Sequence, residues 1–120
     1  ETLQQSSPET QDVLAEAGAA ERASAVLKAM GNRHRLMILC HLKNGEACVT
    51  ELESIVGLSQ SALSQHLAKL RHEHLVKTRR RAQTIYYSLA GHLAEHVLEA
   101  LKNTVTDLCD FDSKDNHARS

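Results

Sequence analysis

The chain has 120 residues, 42% of them hydrophobic and none of them Trp, which fits one small domain with an aliphatic core. No apolar run is long enough to cross a bilayer and no basic-then-apolar signal opens the sequence, so we expect a cytoplasmic protein without membrane contact. The net charge of −1 argues weakly against a nucleic-acid partner if it is taken alone.

The first predicted helix begins at Pro8, with Ser7 as its N-cap. Small or apolar residues then recur every three or four positions, at Val13, Ala17, Ala20, Ala23, Leu27 and Met30. Their small side chains would let another helix approach closely. We expect residues 1–8 to form a flexible N-terminus and residues 9–109 to form the folded domain.

A second helix is predicted over residues 33–43, between Gly31-Asn32 and Asn44-Gly45. Helical spacing indicates three inward side chains, Leu36, Leu39 and Leu42. In the next helix, Thr50 and Glu53 have the spacing of a capping box. This third helix is short, and its apolar residues Leu52, Ile55 and Val56 lie on one side.

Gly57 supplies the backbone freedom for a sharp turn into a fourth helix, whose predicted N-cap is Ser59. An apolar stripe on this helix consists of Leu63, Leu67 and Leu70. Its other faces are polar but mostly uncharged, which suits base edges in a DNA major groove better than plain contact with water. The two helices alone equally fit an ordinary helical hairpin within a bundle.

Two strands are predicted next, over residues 74–78 and 84–89, with residues 79–83 as a basic loop at the hairpin tip. Residues 69–81 hold six Lys or Arg against one acid, Glu73, a net charge of +5 that leaves −6 for the remainder. A helix-turn-helix followed by a basic hairpin is a winged helix. It favours a DNA-binding surface over a merely solvated run of charge. The predicted fold is therefore mainly α, with five helices and a two-stranded wing.

The same residues resemble the ArsR/SmtB family of bacterial repressors. The resemblance is carried by residues 58–67, Leu70-Arg71, Arg79-Arg80, residues 84–87, and upstream by residues 27–32 and 35–39. It covers residues 20–109 and is closest to the branch of nodulation regulators and redox or sulfide sensors. It implies a homodimeric winged-helix repressor that a small inducer releases from its operator.

The last helix is predicted over residues 91–108, with an apolar stripe of Leu93, Val97, Leu101, Val105 and Leu108. Neither this helix nor the first has an obvious partner within so small a domain. The resemblance implies that both pack across a two-fold axis, which places two recognition helices one DNA turn apart. We predict a dimer interface of residues 9–30 and 91–108, and a flexible tail over residues 110–120.

Double-stranded operator DNA is the expected partner. Base edges are expected to meet Gln60, Ser61, Ser64 and Gln65, and phosphates to meet Lys69, Arg79, Arg80 and Arg81. The full predicted DNA-binding set adds Ser59 and Gln83 to these residues.

Four possible metal ligands share one face of the last helix: His92, Glu95, His96 and Glu99. A solvent-facing polar stripe is the favoured interpretation. Zinc sensors of the family carry Asp-x-His and then His-x-x-Glu on this helix, where this chain has Gly91, Leu93, Thr104 and Asp107. We therefore predict no metal site and no cofactor.

Three cysteines, Cys40, Cys48 and Cys109, do not make a structural disulfide framework. Metalloid sensors of the family carry Cys-Val-Cys where this chain reads Cys48-Val49-Thr50, so one thiol is missing. In the redox and sulfide branch, cysteines of the second and last helices form a dithiol sensor, a role that the resemblance gives to Cys40 and Cys109. Cys109 lies one helical turn later than in that branch, a shift of roughly 5 Å. The alternative is that Cys40 is simply a small buried apolar residue.

No nucleophile–base–acid set, glycine-rich phosphate loop or carboxylate pair indicates an enzyme. The predicted function is a dimeric, sequence-specific repressor released by a thiol-directed signal, either sulfide or persulfide or an oxidant, through Cys40 and Cys109. The alternatives are a metal- or metalloid-responsive repressor of the same family, and a constitutive DNA-binding regulator without a sensor site.

Overall fold

A computed structural model describes residues 8–110, with side chains from Asp12 onward. The described chain contains α1 Pro8–Met30, α2 Arg33–Leu42, β1 Ala47–Cys48, α3 Val49–Val56, α4 Gln60–His72, β2 Val76–Arg81, β3 Thr84–Leu89 and α5 Leu93–Lys102. The strands form one antiparallel sheet in the order β1–β3–β2. The mainly α winged-helix prediction is confirmed, and β1 is an addition to it. The flexible termini predicted at residues 1–8 and 110–120 lie outside the described residues, except for Pro8 and Asp110.

The core lies between α2, α3, α4 and α5. Its eight largest fully buried side chains are Ile38, Leu39, Leu52, Leu63, Leu67, Leu70, Leu75 and Leu98. The predicted stripe of α4 is therefore entirely inside, whereas Leu36 of α2 is only half-buried. Within the described range, no helix combines the length and the apolar content that a membrane span requires.

The third helix begins two residues earlier than predicted, so the capping box at Thr50 and Glu53 is wrong. Cys48 is the N-cap, and its backbone N–H donates to the Glu51 carboxylate at 3.2 Å. The reason is β1, because its pairing with β3 holds the chain extended up to Cys48 and the helix starts directly after it. A two-residue strand carries no periodicity that a sequence could reveal.

The turn and the start of α4 agree with the sequence prediction. Gly57 ends α3 with φ of 70°, in the left-handed region that glycine tolerates best. Ser59 is the N-cap of α4, and its hydroxyl accepts a hydrogen bond from the Ala62 N–H at 3.2 Å. The helix-turn-helix is therefore fixed by local chemistry at both of its boundaries.

The second wing strand has its predicted bounds, but β2 extends three residues beyond its predicted end, so the loop expected over residues 79–83 is wrong. All three arginines belong to β2, with Arg81 opposite Thr84 in the register. Only Ala82 and Gln83 turn the chain, with φ of 56° at Ala82. Two-residue hairpin turns are the commonest kind, and this one lets the arginines join the strand ladder.

Helix α5 ends at Lys102, six residues before the predicted end. Asn103 caps it, and the β-branched residues Thr104 and Val105 that follow have low helix propensity. The chain then continues in turns to Cys109. The side chains that α5 buries are Ala94 and Leu98, one position away from the predicted stripe.

Helices α1 and α5 leave a large apolar surface uncovered in the single chain. Among the described side chains of α1, only Ala29 and Met30 are buried. The exposed large apolar residues of α1, α5 and the turn after α5 are Val13, Leu14, Leu27, Leu93, Leu101 and Val105. We call these six residues the α1/α5 surface.

Candidate DNA-binding surface and cysteine pair

One face of α4 is polar and fully accessible. The five side chains predicted for it are all exposed: Gln60, Ser61, Ser64, Gln65 and Lys69. Ser59, at the N-cap, is exposed as well. Because the opposite face is buried, α4 is held rigidly while its amides and hydroxyls point outward. Such a face can donate and accept hydrogen bonds at the edges of base pairs.

The arginines of the wing do not share one environment. Arg79 forms a two-pronged ion pair with Glu46, in which its Nε lies 2.9 Å from the nearer carboxylate oxygen. Its guanidinium also lies 5.0 Å from the centre of the Tyr86 ring, a cation–π distance. The hydrogen bond from Arg79 holds the pKa of Glu46 below its ordinary value, so the pair is charged at neutral pH.

Arg80, Arg81 and Gln83 are exposed at the end of the wing. Alternation along β2 puts Arg80 on the face opposite Arg79 and Arg81. The expected phosphate contacts of these residues stay predictions. Arg79 differs from the others because its guanidinium is already paired with the carboxylate of Glu46.

A disulfide joins Cys40 of α2 to Cys109, with 5.0 Å between the two Cα atoms. The predicted displacement of Cys109 by one turn does not prevent this contact, because α5 ends at Lys102 and the following turns lead the chain back to α2. Cys40 is buried, as in the alternative interpretation, and Cys109 is half-buried. The pair therefore ties the segment after α5 to the last turn of α2.

The disulfide borders an open cleft of about 350 Å³. Its wall is mostly apolar and includes one cation and one acid, Arg33 and Asp107. Both cysteines line this cleft, which is open to solvent. The third cysteine, Cys48, is free and half-exposed at the start of α3.

The family of this chain follows from two comparisons. The family model described as "Bacterial regulatory protein, arsR family" matches residues 32–78. The transcriptional activator HlyU of Vibrio cholerae is 51% identical over 80 residues, which are 67% of this chain and 74% of that protein. The chain belongs to the ArsR family. As an ArsR-family protein it is a DNA-binding transcriptional regulator and not an enzyme.

Solved structures agree with the winged-helix fold of an ArsR-family protein. NolR from Sinorhizobium fredii is 48% identical, with a TM-score of 0.71 over 82% of this chain and 93% of that one. The homodimeric winged helix-turn-helix domain of Mb0332 from Mycobacterium bovis is 27% identical, with a TM-score of 0.70 over 77% of this chain and 85% of that one.

The possible metal ligands of α5 make other polar contacts in this ArsR-family chain. Among the described residues, no group of three or more His, Cys, Asp or Glu could hold a metal ion. In the stripe on α5, His92 lies 3.7 Å from Glu95, and Glu99 forms a salt bridge with Lys43 at 2.9 Å. His92 is also stacked on His96. These contacts fit the solvent-facing polar stripe that the sequence favoured.

Two features of this ArsR-family chain were missed by the sequence prediction. Glu46 carries no local signal, because its pairing with Arg79 depends on β1. Arg35 and His66 are 31 residues apart, and their contact between α2 and α4 belongs to no motif. Each is a long-range polar contact between residues whose local patterns are unremarkable.

The Glu46–Arg79 ion pair leads to a prediction about the salt dependence of DNA binding. Replacing Glu46→Gln frees Arg79, so we expect one further phosphate contact and a log–log salt slope of DNA binding that steepens by about 0.9. Fluorescence anisotropy of a labelled duplex over a range of salt concentrations measures this slope. The matched control is Glu99→Gln, which also breaks an exposed ion pair but lies on α5. An identical slope for both variants and the parent would contradict the prediction.

Proposed function

We propose that this chain is a homodimeric, operator-specific transcriptional repressor whose DNA affinity is controlled by the Cys40–Cys109 pair. Residues 9–109 would form the folded unit. The observation that carries the proposal is the position of the pair, with one cysteine in a helix packed against α4 and the other in the turns that follow α5. Bridging or opening the pair therefore acts on both sides of the DNA-reading domain.

DNA recognition would use α4 and the wing. Gln60, Ser61, Ser64 and Gln65 are exposed on the rigid helix α4, which supports a role at base edges. Lys69, Arg80 and Arg81 are exposed cations beside it, which supports phosphate contact. Ser59 and Gln83 lie at the edges of this surface, while Arg79 would contribute only when Glu46 releases it.

Dimerisation would cover the α1/α5 surface. A patch of exposed Leu and Val side chains on two neighbouring helices is unfavourable in water and is typical of a protein interface. The winged-helix domain from M. bovis, which shares the fold, is homodimeric, and this supports a dimer of this chain as well. A two-fold axis through this surface would present two copies of α4 to successive turns of DNA.

The switch would be a thiol reaction at the cysteine pair. With peroxide as oxidant, the two thiols lose two protons and two electrons, one S–S bond forms, and the peroxide is reduced to two molecules of water. With hydrogen disulfide as the polysulfide, one thiolate attacks it, breaks its S–S bond and releases one hydrosulfide, which leaves a persulfide on that cysteine. The second thiolate then attacks the cysteine sulfur of the persulfide and releases the outer sulfur as a second hydrosulfide, so that one S–S bond joins the two cysteines. The bridged state would hold α2 and the α5 end at a fixed distance and so change the spacing of the two recognition helices.

Two other functions remain as alternatives to be tested beside this one. A metal- or metalloid-responsive repressor would use thiolates, and Cys48 is free for such a role. A constitutive regulator would bind DNA equally in all states. Operator titrations with reduced protein, peroxide-treated protein, polysulfide-treated protein and a panel of metals separate the three. The operator is first selected from random duplexes, and in vitro transcription on it distinguishes repression from the activation named for HlyU.

Gln65→Ala tests the assignment of α4. We expect its preference for the operator over random DNA to fall by about 5- to 150-fold, equivalent to about 1–3 kcal/mol for a lost base contact. Arg80→Ala, as the matched comparison on the wing, is expected to weaken both duplexes alike and to flatten the salt slope by about 0.9. Competition binding measures both effects. If Gln65→Ala retained the full operator preference, Gln65 would not read a base.

A further inference from the structure

A polar joint connects three helices beside the predicted DNA-reading face. Its centre is Arg35, near the start of α2. The Arg35 side chain donates from Nε to the carbonyl of Ala29 and from Nη2 to the carbonyl of Lys28 at 3.3 Å, both in the last turn of α1. Its Nη1 lies 3.0 Å from Nδ1 of His66 in α4. One guanidinium thus links α1, α2 and α4.

The helix end explains why an arginine fits this place. The last four carbonyls of a helix have no partner within the helix, and Arg35 satisfies two of them at the end of α1. Its fork of donors leaves Nη1 free to reach α4 at a fixed angle. His66 is next to Gln65 in sequence, so the joint lies one residue from a side chain proposed to read a base.

The chemistry of the pair determines the protonation of His66. Arginine has only donors, so Nδ1 of His66 has to accept, and the imidazole is neutral with its proton on Nε2. A proton on Nδ1 removes this hydrogen bond and places two cations in contact. The pKa of His66 is lowered, first by desolvation and then by the charges of Arg35 and His34. The His34 ring, also on α2, lies 5.5 Å from the His66 ring, while α1 presents the two carbonyl oxygens.

We propose that Arg35 is a positioning residue for the recognition helix and that its contact with neutral His66 fixes the angle of α4 against α1. The inference rests on the proposed DNA contact by α4. When His66 takes up a proton, its hydrogen bond with Arg35 is lost, and α4 loses its link to α1. Operator affinity is therefore full at neutral pH and falls as the pH drops below the range of an ordinary histidine.

His66→Asn separates the joint from its titration. The Asn oxygen can accept from Arg35 near the position of Nδ1, but it takes up no proton. The control is His72→Asn, which removes an exposed histidine from the last turn of the same helix. Operator binding is measured by anisotropy from pH 7.5 to 5.5, at constant ionic strength. DNA phosphates attract protons to histidines generally, and the control reports that background.

At pH 7.5 we expect all three proteins to bind the operator within about twofold of one another. Between pH 7.5 and 5.5, the affinity of the parent relative to His66→Asn is expected to fall by about twofold or more, mostly at the acid end because the pKa of His66 is lowered, and by no more than about tenfold per pH unit for one proton. The ratio of the parent to His72→Asn stays constant. A constant ratio of the parent to a folded His66→Asn would overturn the proposal.

A second measurement needs no DNA and remains decisive if His66→Asn does not fold. Titration of the histidine rings by NMR, in the parent and in Arg35→Met, follows the pKa of His66 directly. We expect the His66 pKa to rise in the variant, because a cation and a donor are removed. An equal His66 pKa in both proteins would refute the joint. Loss of operator binding at every pH in the parent would instead refute the proposed function.

Discussion

Replacing Leu27→Asp is expected to turn the protein into a monomer that no longer binds its operator tightly. Leu27 is 60% exposed in the single chain, so the core does not need it. It borders an apolar cleft of about 300 Å³ between α1 and α5, opposite Leu93. A carboxylate there would lose its water among the apolar side chains of the proposed interface, a cost that one cation at the cleft, Arg22, does not remove, and each dimer would bury two such carboxylates.

The expected size of this effect is large. We expect the dissociation constant of the dimer to rise at least about 100-fold, equivalent to about 2.7 kcal/mol. Operator affinity falls by a similar factor or more, because one half-site is then bound without help from the other. Sedimentation equilibrium measures the first quantity and anisotropy the second.

The control for Leu27→Asp adds the same charge elsewhere. Asn44→Asp alters an exposed residue after α2, outside the α1/α5 surface, and is expected to leave a dimer. Circular dichroism checks that both variants keep their helices. A dimer that persisted in Leu27→Asp at micromolar concentration would contradict the interface, and another surface would then have to join the two chains.

Cys40→Ser is expected to abolish the response to oxidant while leaving the reduced protein able to bind DNA. In the parent, we expect oxidation to change operator affinity by about 5- to 150-fold, the usual range for coupling between two sites. The serine variant keeps a side chain of similar size within the core but cannot form the bridge. Its affinity should equal that of the reduced parent under all conditions.

Cys48→Ser is the matched control, since Cys48 is free and lies away from the pair. It is expected to respond to peroxide and polysulfide as the parent does. Mass spectrometry after digestion should find the Cys40–Cys109 cross-link in the parent and in Cys48→Ser. A missing cross-link, together with normal release of DNA by Cys40→Ser, would end the dithiol hypothesis.

The bridge should also be visible in the stability of the fold. It closes a loop between residues 69 positions apart in the sequence. By the chain-entropy estimate, such a loop stabilises the folded state by up to about 4 kcal/mol. We therefore expect thermal melting of the reduced protein at a clearly lower temperature than that of the bridged protein, and no redox dependence in Cys40→Ser.

How much was predictable from the sequence depended on the range of each interaction. The start of α4 at Ser59 and its buried stripe are local and periodic, and both were predicted correctly. The start of α3 was not, because a two-residue strand paired with a segment nearly 40 residues later decides it. The end of α5 was predicted six residues too late, because the apolar periodicity continues past Asn103 although the residues there favour a turn.

The candidate functional residues also divide into those with a local sequence signal and those placed by long-range contacts. The exposed face of α4 could be read from its composition. The environment of Arg79 could not, because Glu46 approaches it only through the sheet. The contact between Cys40 and Cys109 was suggested by family resemblance and made doubtful by helical spacing. The early end of α5 removes that doubt, because the chain no longer follows the spacing of a helix.

The strand order β1–β3–β2 has a consequence for the behaviour of the protein at high concentration. It leaves β2 with one unpaired edge in the described sheet, and such edges invite pairing with strands of other molecules. Lys77 and the three arginines of β2 oppose this, because two such strands would bring like charges together. Neutralising them is therefore expected to promote aggregation, apart from any effect on DNA. The charge of the wing therefore disfavours edge-to-edge pairing of β2 strands from two molecules, while the α1/α5 surface stays available for dimerisation.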